Sequence, residues 1–395
     1  MAPPSPSPIA PGNCPVNLRL LSLVFAPFAL GTSAFIYIGL IEPMSRDLGV
    51  GIASVGQLQT VFALACGIGG PVLARLLAGF DRKRLLLCVL AILAAMNLGS
   101  ALAPSLIAIG GIRFAAGFFA ALTLPLASTL AVSLVPEASR PKAIATVLAG
   151  YTLAFLIGMP AGSILGDIYG WRSAFWLAAA ISAVAFIVIG LFAPAHIHAP
   201  EAGASSFRRA LQGENPKLMF ITLLSFAGTF ATVSFIGPVI TASTGLTGSG
   251  IAAIQLSTGI GSLLGLPAGA LLARLTTRRA LSILLGSVLV TQVLFSLGML
   301  FDLGVLAIPV LVFTMAFNSA ALFGTSPVVQ SQLANAAGPA TTIAFALNGS
   351  MLYSGQGLGS SLGGAVTNFI GLGWTGIAGA VAALLALLLA RRLHV

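Results

Sequence analysis

Arg113 is the residue whose setting most demands a chemical explanation, because it lies about seven residues into an otherwise apolar stretch beginning near Leu106. An arginine within a bilayer costs at least about 2.5 kcal/mol unless it meets a cavity or a partner. Two roles fit: a cavity residue that binds substrate or senses a proton on a neighbour, and a structural pairing with helix-end carbonyls. Glu42, in Glu42-Pro43, is the only acid close to the interior of an apolar stretch, since Asp47, Asp167 and Asp302 fall in expected loops. A coupling proton needs a carboxyl that titrates as access alternates, and Glu42 beside an apolar wall is a candidate. A hydrated interfacial carboxylate fits Glu42 equally, and a Glu42–Arg113 contact is geometrically open. The remaining chemistry is sparse. Cys14, Cys66 and Cys88 form no close pair, and neither a disulfide framework nor a metal cluster follows from them. His196-Ile197-His198 reads as a solvated loop rather than a ligand pair, and His394 stands near the end of the sequence. An enzyme would need a paired acid and base, a nucleophile with its base, or a metal set. None is present, so no catalytic residue, metal or cofactor is expected.

Uncharged polar residues also interrupt the apolar stretches: Gln57, Gln59, Asn97, Thr123, Gln255, Asn318, Gln330, Asn348, Tyr353 and Gln356. Lipid would leave them unsatisfied, so some face a cavity and others bridge helices. Asn348, Tyr353 and Gln356 are the cavity candidates of the second half.

The elements that must position these residues follow from composition. Of 395 residues, 58% are hydrophobic and 7% are charged, with a mean hydropathy of +1.06. A soluble domain carries about 25% charged residues. Apolar runs of about 20 residues fit spanning helices rather than barrel strands, whose polarity alternates. Twelve helices are expected at 19–41, 54–78, 85–103, 106–131, 143–166, 173–194, 217–240, 250–273, 280–301, 305–328, 341–368 and 373–390. The fold class is an all-α polytopic membrane protein, with twelve transmembrane helices as two pseudo-symmetric six-helix bundles. Residues 1–17, rich in Pro and Ser, read as a disordered cytoplasmic tail. The apolar run Leu20 to Ile41 is too long for a signal h-region and reads as an uncleaved first helix. The bundles occupy 18–194 and 217–395, with a polar cytoplasmic linker at 195–216.

Arg46 and Arg172 fall on one side of this layout and Arg113 within it. Every other residue of the 18 Lys and Arg falls on the opposite side. Basic loops mark the cytoplasm, so both termini are expected there. The net charge of +10 is thereby explained by topology, and nucleic acid is excluded as a partner.

The halves repeat. Gly158, Gly162 and Gly166 recur as Gly355, Gly359 and Gly363, and Gly67-Ile68-Gly69 recurs as Gly259-Ile260-Gly261. Arg82-Lys83 recurs as Arg278-Arg279. Glycines four apart let a neighbouring helix approach closely, and Pro160 favours a kink. Parallel halves joined by a linker are the plan of a carrier that rocks about a midplane site.

Several motifs stand in a set order: Gly39-Leu40-Ile41-Glu42-Pro43 then Asp47-Leu48-Gly49-Val50; Arg113-Phe114-Ala115-Ala116-Gly117; Gly150 to Gly166 with Gly158-Met159-Pro160; and Gly170-Trp171-Arg172 with Phe175-Trp176. Together they resemble the major facilitator superfamily, in its twelve-helix drug:proton antiporter branch, which includes bacterial sugar and nucleoside exporters. The resemblance runs from about residue 20 onward. It implies proton transfer at Arg113 and an antiporter motif at Gly158, Pro160, Gly162 and Gly166. Relatives place an acid ahead of the basic cluster between helices 2 and 3, where it helps latch one conformation. This chain has Ala78 at that place, and Asp81 stands next to Arg82 and Lys83 instead. The function implied is export of a drug, sugar or nucleoside by alternating access in exchange for protons, from a bacterial inner membrane. A proton-independent facilitator or uptake carrier, with Arg113 binding an anionic or polar substrate, is the alternative. A monomer suffices for the fold.

Overall fold

The computed structural model describes residues 16–77, 79–136, 139–194, 208–301 and 303–393. Most of the expected tail, the linker over 195–207, Cys14, Ala78, His196, His198, Glu201, Asp302 and His394 lie outside the described residues. Twelve helical legs cross in alternating directions. They are α1 (Leu18–Leu48), α2 (Ile52–Leu76), α3 (Arg82–Leu102), α4 (Leu106–Ser133), α5 (Lys142–Tyr169) and α6 (Arg172–Phe192) in the first half. In the second half they are α7 (Asn215–Val233, resuming at Ile236–Thr244), α8 (Gly248–Leu272), α9 (Thr277–Leu300), α10 (Gly304–Ala337), α11 (Thr341–Phe369) and α12 (Leu372–Ala390). Eleven are long and apolar enough to cross a membrane. The other, α11, carries Asn348, Ser350, Ser354 and Gln356, which lower its hydropathy, yet its 29 residues suffice to span a bilayer. Large apolar side chains such as Ile187, Leu191, Phe317 and Val381 point outward, more than half exposed. In water they would form an adhesive patch; in lipid they are matched.

Several ends differ from the sequence expectation. Glu42-Pro43 does not end α1. A 3₁₀ turn at Ile38–Leu40 is followed by a further helical segment, Ile41–Leu48, with Pro43 in its first turn. Proline is tolerated there because first-turn amides have no intrahelical partner. Asp47 and Asp167 accordingly lie in helical last turns rather than loops. Helix α7 begins at Asn215, inside the stretch read as linker, with Pro216 again in a first turn. Helix α10 runs on to Ala337, well past the expected end at 328, because hydropathy marks where the membrane stops and not where the helix does.

The breaks matter most. The α-helical part of α1 stops at Phe35, and its last bond is from the Ile36 amide to the Thr32 carbonyl at 2.9 Å. In α5 a π-turn spans Ala154–Gly158, directly ahead of Pro160. Proline has no amide to donate, so the ladder widens there. The two glycine stripes perform the same task in each half. Gly158, Gly162 and Gly166 lie along α1, and Gly355, Gly359 and Gly363 lie along α7. A Cβ at Gly162 would overlap the Ile36 carbonyl oxygen, and one at Gly359 would overlap that of Ala227.

Candidate functional site

The site is built on the break in α1. Ending the helix at Phe35 leaves the Ser33 and Ala34 carbonyls without the amides that would otherwise close the next turn. Arg113, from the first part of α4, takes both: its Nη1 donates to Ser33 O at 2.5 Å and its Nη2 to Ala34 O at 3.0 Å. The guanidinium lies over the Tyr37 ring at 4.9 Å and the Phe62 ring at 4.5 Å. Among the described residues Arg113 is the only charged side chain that is fully buried. Its counter-charge comes from carbonyl dipoles and ring faces, and among the described residues no carboxylate pairs with it. The arrangement matches the carbonyl-pairing role, and it leaves a formal positive charge in an apolar site without an acidic partner. An electron-rich substrate group or a carboxylate brought in by motion could pair with it.

Above and across from Arg113 lies an aromatic layer at the seam between the halves. Phe35 of α1 packs on Tyr151 and Phe155 of α5, with centroids at 5.7 and 4.4 Å, and on Phe230 of α7 at 5.8 Å. Phe155 reaches Phe323 of α10 at 5.5 Å. Cys66, Ala116, Tyr151 and Tyr353 belong to one buried core cluster, so α2, α4, α5 and α11 converge here.

The expected site residues divide into groups. Gln356 does not simply line a cavity: its Nε2 donates across the seam to Tyr151 Oη at 3.1 Å. Tyr353 is buried in the same core with its hydroxyl unpartnered, and Asn348 is buried with Oδ1 unpartnered. Burying polar groups without partners is costly, which sets these two apart from the bridging Gln356. Glu42 is half-buried in the first turn after the α1 break and makes no ion pair or hydrogen bond among the described residues. No contact joins it to Arg113. Asp81 caps α3 by accepting the Arg84 amide at 2.9 Å, Arg82 lies beside it, and Lys83 donates to the Gly190 and Ala193 carbonyls of α6 at 2.8 Å each.

Three contacts were not foreseen. Ser163 donates to Gln255 Oε1 across the seam at 2.8 Å, and Ser360 donates to the Gly56 carbonyl at 3.2 Å. At the end remote from the basic loops, Asp47 accepts from Arg172 at 2.7 Å and from Trp171 Nε1 at 3.0 Å, joining two of the sequence motifs. Opposite charges at helix ends on one side were the only signal available for that pair. The Ser163–Gln255 and Ser360–Gly56 bonds, with Gly237 against Ile38 and Gly248 against Asp167, close the seam at that remote end, while the Asp47 tie lies within the first half.

The profile of the Major Facilitator Superfamily matches residues 23–349. The chain belongs to this superfamily. As a major facilitator it is a membrane-embedded transporter of small molecules and not an enzyme. It is similar to a chloramphenicol resistance protein of Streptomyces lividans, 33% identical over 272 residues that cover 68% of this chain and 69% of the relative. It is similar also to a probable sugar efflux transporter of Mannheimia succiniciproducens, 25% identical over 372 residues that cover 92% of this chain and 90% of the relative. Among solved structures, a bacterial homologue of the human lysosomal transporter Spinster shares the fold, with a TM-score of 0.70 at 17% identity over 96% of this major facilitator and 97% of that chain.

Proposed function

We propose that the chain is an exporter of a small organic molecule, of the drug, sugar or nucleoside class, working by alternating access in exchange for protons. The observation that carries this reading is Arg113, a buried cation pinned to the broken part of α1 at the aromatic seam between the halves. A cation held this way responds to the protonation or occupancy of whatever enters beside it. Tyr353, Asn348 and Gln356 are proposed to meet the substrate once the aromatic layer parts, and Glu42 to carry the coupling proton. The glycine stripes with Pro160 and the π-turn are proposed as the flexible surfaces on which the packing switches. Asp81, Arg82 and Lys83 are proposed to steady one conformation from the basic end.

The basic bias supports a cytoplasmic placement for both termini, in the inner membrane of a bacterium. On that placement the sealed end faces outward. Each half has its own packed core in addition to the shared one, which supports a monomer as the working unit. A proton-independent facilitator is favoured by one observation, the lack of a carboxylate against Arg113. The readings separate in cells expressing the protein and loaded with labelled chloramphenicol, a pentose or a purine nucleoside. Export predicts lower steady accumulation of one probe, restored by a protonophore. Accumulation unchanged by the protonophore would refute proton-driven export.

A further inference from the structure

The two halves treat the same loop differently. In the first half the basic turn before α3 is satisfied internally: Asp81 caps the helix, and Lys83 is consumed by the carbonyls that end α6. In the second half the equivalent turn, before α9, has no acid. Thr276 occupies the N-cap position without making a capping bond, so the first amides of α9 remain available. The helix equivalent to α6 is α12, and it is followed directly by Arg391, which adds a further cation at that end. Arg278, Arg279 and Arg391 therefore line one cleft of about 570 Å³ with Thr276 and Ser282, and none of the three pairs with an acid among the described residues. The rim is apolar and open: Leu275 is 44% exposed and Ile283 49%. Leu385 and Leu388 continue an exposed apolar face along α12.

We propose that this cleft is a binding site for the phosphate headgroup of an anionic phospholipid. Three unpaired guanidiniums, two hydroxyls and a helix N-terminus match a phosphate in charge and donor geometry. Location at the membrane boundary, with an apolar face continuing into the bilayer, matches the attached acyl chains and not a free ion. The site is separate from the transport pathway and does not depend on the exporter reading.

The test is native mass spectrometry of the full-length protein in detergent, with dioleoyl phosphatidylglycerol and dioleoyl phosphatidylcholine at equal concentration. Wild type should retain phosphatidylglycerol preferentially. A basic residue near an anionic surface contributes about fivefold. R391Q alone should lower retention of phosphatidylglycerol about fivefold, and the triple variant R278Q/R279Q/R391Q should lose the preference. A charge-matched control, R75Q/R208Q/R209Q, should keep it. Equal loss in the control would show attraction by net charge alone and overturn the site. Displacement of the lipid by 20 mM inorganic phosphate would identify a free-anion site and overturn the lipid assignment. If the triple variant fails to fold, R391Q decides the matter by the same fivefold criterion.

Discussion

Replacing Gln255 with alanine isolates the seam. Gln255 Oε1 accepts from Ser163 Oγ at 2.8 Å, joining α8 to α5 in a fully buried setting. Ser163 keeps a weaker alternative, the Met159 carbonyl at 3.3 Å, so truncation leaves no orphaned donor. The loss is then the net value of one buried neutral hydrogen bond, about 1 kcal/mol. On the alternating-access reading this bond is broken when the remote end opens, so the population open at that end should rise about fivefold. The reporter is Ser360→Cys on α11, which is fully buried against the Gly56 carbonyl, in a background lacking Cys14, Cys66 and Cys88. A membrane-impermeant maleimide added from the remote side should label the reporter about fivefold faster in the Gln255→Ala variant. Chain folding is checked by unchanged detergent solubility. Equal labelling rates with and without Gln255 would refute the assignment of this bond to a state-specific seal.

Other consequences follow from the same packing. Gly162→Val puts a branched side chain against the Ile36 carbonyl and should cost about 3 kcal/mol, read as early loss of monodisperse protein on heating; Gly111→Val, which meets open space, should be tolerated. Tyr353→Phe removes a hydroxyl that has no partner, so thermal stability should hold or rise while substrate turnover falls. A fall in both would place Tyr353 in the fold rather than in the site.

Much of the architecture was legible because the bilayer imposes it. Unbroken apolar runs must be helices, and the asymmetric placement of Lys and Arg fixes how they alternate. The glycine stripes were legible by their spacing of four, though not which helix each faces. The break in α1 was not. Tyr37-Ile38-Gly39-Leu40 is mostly apolar and Gly39 alone, in a chain with 46 glycines, does not mark a break; what surrounds the turn is tertiary, with Gly39 seated against Ser163 and Gln255. Since Arg113 is held by the carbonyls that the break exposes, its partners were equally hidden, and only the cost of burying it could be read. The Asp47–Trp171–Arg172 tie was hidden for another reason. Asp47 is more than 120 residues from Trp171 and Arg172, and they meet only because α1 ends beside the start of α6. The polar residues are alike in burial and differ in their hydrogen bonds, which only the fold supplies: Asn97 accepts from Ser33 of a neighbouring helix at 2.9 Å, while the Tyr353 hydroxyl and Asn348 Oδ1 have no partner.

The most direct measurement is proton flux in liposomes containing the purified protein and an internal pH dye, with chloramphenicol, a pentose or a purine nucleoside added in turn. Proton movement that requires one of these substrates, and that is lost in Arg113→Ala and in Glu42→Gln, is the predicted result. Substrate movement with no proton flux, undiminished in Glu42→Gln, would contradict antiport and leave a facilitator on the same fold.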